Sequence, residues 1–170
     1  TMTIATCAFP NSSQHTAPPS LGQTIDLRSL AAQLDFVIAD AVLPELYAST
    51  KEAVIQTLVD RLAESGAVPA VQRDEVLAAV LKREAASATA VGHGIAIPHA
   101  KHHAVRQVVA AVAFCPDGIH FGGRDGLAVQ LIILLVSPEN DHAAHLGALS
   151  LLSQHLLAAA RTPSHHAVAV

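Results

Sequence analysis

Residues 128–136 read Ala-Val-Gln-Leu-Ile-Ile-Leu-Leu-Val, apolar at every position but Gln130. Such a run lacks the in-and-out alternation of a strand with one wet face, so it predicts a central strand covered on both sides. Covering both faces calls for helices, and the sequence supplies them on either side of the run. Upstream, Val54, Leu58 and Leu62, with Ile55 and Val59 beside them, form an apolar stripe that Gly66 closes. Ser49, followed three residues later by Glu52, has the spacing of a capping box and marks the start of that helix. A second helix is predicted from about Val71 to Ala85, with Val76, Leu77, Val80 and Leu81 inward, and with Lys82 and Arg83 at the negative end of its dipole. Downstream, His145, Leu149, Leu152 and Leu156 recur at the spacing of one long helix.

Further strands are predicted at Val108 to Phe114 and, as a minor piece, at Ile119-His120-Phe121. Pro116-Asp117-Gly118 and Arg124-Asp125-Gly126 are read as turns between them. Ile95-Ala96-Ile97 is a short strand running into Pro98-His99. Nearer the start, Leu27, Leu30 and Leu34 suggest a short amphipathic segment, followed by an extended stretch around Ala41 to Leu46, where Pro44 disfavours a helix. Residues 1–24 mix Pro, Ser and Thr without period and are expected to be a disordered leader, and residues 162–170 a short tail. The expectation is an α/β fold over residues 25–161: a single domain with a mixed central sheet flanked by helices.

Composition narrows the function classes. Apolar residues make up 51% of the 170-residue chain and aromatic ones only 3%, so the core is aliphatic. A net charge of -4 without any Lys/Arg run argues against a nucleic-acid footprint or an anionic membrane surface. Six residues, Leu131 to Val136, form the longest unbroken Leu/Ile/Val run. A bilayer needs about 20, so no membrane insertion is expected. Two cysteines give no disulfide framework, which makes a cytoplasmic location the default. Histidine is the abundant functional type, at 11 residues.

Those histidines acquire a chemistry around His99. A strand ending in Pro98 delivers His99 to the sheet rim with its backbone fixed, because proline restricts its own φ and its predecessor's conformation. Gly92 and Gly94 allow a backbone to pass close to that ring, with N–H groups able to face anionic oxygens. Arg83 offers a fork of donors to a phosphate-like group. His145 opens the last helix, whose N-terminal region also favours an anion. Neutral imidazole is a nucleophile at cellular pH, and the phosphoramidate it forms stays reactive enough to pass on. The group reads as one histidine that accepts a phosphoryl group while a second histidine, an arginine and backbone amides stabilise its charge.

The string R-E-x-x-x-x-T-x-x-G-x-G-I-A-I-P-H-A-K, then G-I-x-F, D-G-x-x-V-x-L-I-x-L-L-V-x-P and H-L-x-x-L-x-x-L, resembles the type 2 EIIA domain of the bacterial phosphotransferase system, the fructose, mannitol and nitrogen-regulatory class. The resemblance implies a phosphotransferase: a phosphocarrier that receives its group from phospho-histidine on an HPr-like protein and passes it to an EIIB cysteine for sugar uptake. The alternative it implies is a regulatory protein whose phosphorylation state controls a target protein by binding. By matching, His99 is the phosphoacceptor, His145 the second active-site histidine and Arg83 the arginine near the site, while Thr89 is the remaining loop hydroxyl. Where the family shows S-T-G, this chain has Ala88-Thr89-Ala90.

Competing readings remain for some of these residues. His99, His102 and His103 invite a metal, but no Cys or carboxylate lies nearby in sequence and no metal or organic cofactor is expected. Cys115-Pro116-Asp117-Gly118-Ile119 is similar to an EIIB cysteine loop, yet it falls in mid-domain, where a small buried hydrophobe fits better. G-x-x-x-x-G-K-[ST] is absent, so ATP is not the expected donor.

Overall fold

The computed structural model describes residues 26–161, so the leader and tail expected at residues 1–24 and 162–170 lie outside the described residues. The chain runs α1 (Leu27–Gln33), β1 (Val37–Leu43), α2 (Lys51–Glu64), a 3-10 turn (Ala70–Gln72), α3 (Arg73–Ala86), β2 (Ala90–Gly92), β3 (Ile95–Ala96), β4 (His99–His102), β5 (Val109–Ile119), β6 (Val129–Pro138) and α4 (His142–Arg161). The sheet is ordered β1-β5-β6-β3-β2, and β4 also pairs with β6.

Strand β6 is central, as its sequence predicts. It pairs antiparallel with β5 on one side and parallel with both β3 and β4 on the other. Alternation across its pleat divides the core in two. Ile132, Leu134 and Val136 join the cluster formed with α2 and α3, through Val54, Leu58, Val76 and Val80. Leu131, Ile133 and Leu135 join the other, with Leu30, Leu34, Leu152 and Leu156 from α1 and α4. Each face of the strand thus has its own helical cover, which is why no polar alternation survives in it.

Three details differ from the sequence reading. The cap of α2 is Thr50, whose Oγ1 accepts from the Ala53 N–H at 3.2 Å, so the Ser49–Glu52 box is out by one residue. Gly66 does end the helix, with φ +78°. Pro116-Asp117-Gly118 is not a turn between two strands. It lies within the continuous β5, where the register against β6 shifts between Phe114 and Ile119, as in a β-bulge. The extended segment after α1 begins earlier than expected, at Val37, because β1 must reach Ala110 of β5 in parallel register.

β3 and β4 line the same edge of β6 in succession, with Ile95 opposite Leu131 and His99 opposite Leu135. Ile97 and Pro98 interrupt them, and the Pro98 carbonyl still accepts from the Leu135 N–H at 2.9 Å. A proline lacks the N–H for a continuous ladder. The break therefore falls beside His99 without releasing the chain from the sheet.

Candidate active site

His99 is half-buried at the start of β4. Its Nδ1 lies 2.8 Å from the carbonyl oxygen of Ile97. A carbonyl only accepts, so Nδ1 carries the proton and Nε2 keeps its lone pair. The restricted backbone at Ile97-Pro98 thus fixes the tautomer as well as the direction of the ring.

His145 comes from the other end of the chain. Asp141 caps the start of α4, with its side chain accepting from Ala144 N–H at 2.8 Å and its carbonyl from His145 N–H at 3.2 Å. That brings the His145 ring to 5.3 Å from the His99 ring, centroid to centroid, at 55°. On its far side, Nδ1 of His145 shares a 2.8 Å hydrogen bond with the hydroxyl of Ser137, a fully buried residue near the end of β6.

Both rings are held below the ordinary histidine pKa of 6.5. Burial is the main cause for His99; the Arg83 charge adds to it, while the Ile97 hydrogen bond and Glu84 oppose it. Burial also leads for His145, followed by the charges of His99, Lys101, His142 and Arg83. Two neutral imidazoles therefore stand in a cationic surround.

The remaining expected residues divide. Arg83 lies within electrostatic reach of both rings, and one of its N–H groups donates to the Ser87 carbonyl at 3.0 Å, tying the loop to the end of α3. Thr89 is buried instead of lining the site with its hydroxyl: that hydroxyl and its backbone N–H both donate to the carboxylate of Glu84. Gly92 and Gly94 belong to the β2–β3 hairpin. His93 (φ +56°) and Gly94 (φ +74°) are its two turn residues, the positive-φ pair of a type I′ turn. The Gly94 carbonyl accepts from Gln130 and Leu131 N–H, and Gly92 lines a separate cleft of about 530 Å³ with Gly123, Arg124 and Asp125.

Three contributors were missed at the sequence level: Ser137, Lys101 and Glu84. Lys101 and Glu84 stand inside the motif quoted above. Ser137 has a weaker signal, a single polar residue directly after six aliphatic ones.

Among the described residues, Glu75, His102 and His103 bring three possible metal donors within 4.8 Å of one another. Nδ1 of His102 accepts the Ala104 N–H at 3.1 Å, so its proton sits on Nε2, the atom facing Glu75. Nε2 of His103 is engaged by the Gln72 side chain at 3.0 Å. Of the two ring nitrogens, that of His103 is thus engaged by Gln72, while that of His102 faces Glu75, itself a member of the group.

A family model described as "Phosphoenolpyruvate-dependent sugar phosphotransferase system, EIIA 2" matches residues 36–161, and the chain belongs to that family. It is 38% identical over 109 residues to the fructose-specific EIIA component of the phosphotransferase system of Haloferax volcanii, covering 64% of this chain and 70% of that one. It is 34% identical over 122 residues to a nitrogen regulatory protein of Bradyrhizobium diazoefficiens, covering 72% and 78%. Among solved structures, the nitrogen regulatory protein IIA-Ntr of Neisseria meningitidis shares the fold, with a TM-score of 0.65 at 24% identity over 76% of this chain and 90% of the other. IIA mannitol of Escherichia coli superposes with a TM-score of 0.57 at 25% identity, over 75% and 92%. The α/β expectation of one domain with a mixed sheet flanked by helices holds.

Proposed function

We propose that the protein is a phosphocarrier whose acceptor atom is Nε2 of His99. The observation carrying this is the Nδ1–H bond to the Ile97 carbonyl, which leaves Nε2 as the nucleophile. The Nε2 lone pair attacks the phosphorus of a phospho-histidine on an HPr-like donor. The donor's P–N bond breaks with its electron pair returning to the donor imidazole, and a new P–N bond forms on His99. His99 keeps its Nδ1 proton throughout and becomes an imidazolium bearing a phosphoryl group. Because Nδ1 stays protonated, onward transfer releases a neutral imidazole, a far better leaving group than an imidazolate. The Ile97 carbonyl faces the positive ring, and Arg83, Lys101 and His145 face the phosphoryl oxygens.

The onward acceptor is a cysteine of an EIIB component serving sugar uptake. EIIA and EIIB units joined in one chain, as in the fructose-specific EIIABC component of Bacillus subtilis, support that direction, as does the solved complex of IIA mannitol with phosphorylated IIB. Leu146, 65% exposed beside His145, suits a partner surface that is apolar near its centre. A second reading, control of a target protein by phosphorylation state, is favoured by the likeness to the nitrogen regulatory protein. Phosphocarriers of this kind exchange with soluble donors, so the location is cytoplasmic. No helix among the described residues is long and apolar enough to cross a membrane.

Incubation with phosphoenolpyruvate, enzyme I and HPr tests the reading. Wild type gains one acid-labile phosphate, and His99→Ala gains none. Undiminished labelling of His99→Ala rules out His99 as acceptor.

A further inference from the structure

Glu84 is 3% exposed near the C-terminal end of α3, a place where a carboxylate meets the wrong end of the helix dipole. Burying a charge is unfavourable unless it is fully engaged, and its partners show what it is engaged in. Lys51 of α2 approaches Oε1 at 3.4 Å. Thr89 gives Oε2 both its hydroxyl and, at 3.2 Å, its backbone N–H. The carbonyl of the same Thr89 then accepts the Ile97 N–H at 3.1 Å, and the Ile97 carbonyl accepts the His99 Nδ1–H at 2.8 Å. The connection from helix to imidazole is continuous: carboxylate, Thr89, the Ile97 residue, His99.

We propose that Glu84 is a positioning residue for His99, acting through Thr89 and Ile97 to hold the carbonyl that fixes the Nδ1–H tautomer. Glu84 touches neither ring nitrogen. Its anchor keeps the residue between β3 and Pro98 from rotating its carbonyl away from the imidazole. This assignment gives Thr89 a role as well, one that turns its hydroxyl away from the phosphoryl group. The inference rests on His99 being the acceptor only where transfer rate is concerned; the tautomer itself is independent of it.

Long-range nitrogen–proton NMR on the full chain reads which ring nitrogen of His99 carries the proton. Wild type should show Nδ1–H alone. In Glu84→Gln a measurable fraction of Nε2–H is expected, and phosphoryl acceptance from phospho-HPr should slow by about 10- to 100-fold, the scale of a small misplacement at a reacting centre. Thr89→Val, which keeps the backbone links and loses only the hydroxyl, should move both readouts in the same direction by less, and Thr89→Ser should match wild type. Thr89→Val decides the matter if Glu84→Gln does not fold. A purely structural Glu84 would lower thermal stability and leave the tautomer unchanged; pure Nδ1–H in the folded variants overturns the proposal. Since the tautomer is measured without a donor, continued labelling of His99→Ala would remove His99 as the acceptor and leave this result standing.

Discussion

Ser137 and His145 meet through a 2.8 Å hydrogen bond that joins the end of the central strand to the first turn of the last helix. Ser137 is fully buried, so replacing it strands Nδ1 of His145 without a partner. An unsatisfied buried nitrogen costs about 1–3 kcal/mol. Ser137→Ala should lower stability by that order in a denaturant titration. It should also slow phosphoryl transfer, because the ring beside His99 loses its fixed orientation.

Phosphorylation places negative charge beside His145, reversing part of its surroundings. In the free protein Lys101 and Arg83, with His99 and His142 whenever those rings are protonated, add to burial in holding its pKa down. An adjacent anion favours the protonated ring. The pKa of His145, followed by NMR titration, should therefore be higher in the phosphorylated protein than in the free one. An unchanged value would place the phosphoryl group elsewhere.

The pH dependence has a definite sign. Both site histidines have native pKa values lowered from 6.5. Above about pH 6.5 these rings are neutral whether the chain is folded or not, and they leave stability unaffected. Below it the unfolded chain takes up protons first, so stability falls as pH drops from about 6.5 through the lowered native values. Acceptance of the phosphoryl group requires neutral His99 and should persist below pH 6.5, with its acid limb at the native value. A rate that halves above pH 6.5 would contradict the assignment.

Helix capping offers a test unconnected with the chemistry. Thr50, not Ser49, accepts the Ala53 N–H. Thr50→Ala should lower stability by about 1 kcal/mol, and Ser49→Ala should leave it nearly unchanged. Equal losses in thermal melts would restore the original capping-box reading.

Gly118 sits in the irregular part of β5 at φ +72°, and a Cβ there would stand 2.8 Å from the Ala128 Cβ. Gly118→Ala combines a left-handed backbone with a collision against the neighbouring strand. A loss of at least about 1 kcal/mol is expected.

Much of this was legible in the sequence because it rests on period and position. Leu152 and Leu156 are buried where the stripe through His145 puts them, and the unbroken apolarity of residues 131–136 fixes β6 as the strand with neighbours on both sides. The Pro98-His99 junction likewise shows where an imidazole is held. What escaped depends on contacts between distant segments. The residues between Phe114 and Ile119 look like a turn locally, and only pairing with β6 turns them into a bulge. Thr89 looks like a site hydroxyl until the fold places Glu84, five residues earlier, beneath it. The glycines at 92 and 94 look like a phosphate loop, whereas hairpin geometry uses the second as a turn residue.

Cys115 has one last practical meaning. Its side chain is enclosed within β5, and burial, helped by Asp117, pushes the thiol up to about 11. At neutral pH almost none of it is thiolate, the only form that attacks phosphorus or an alkylating reagent. Residue 115 should therefore alkylate far more slowly than an exposed partner thiol, and in a Cys7→Ser chain, which removes the second cysteine, a partner's thiol can be blocked, or its loading followed, with little interference.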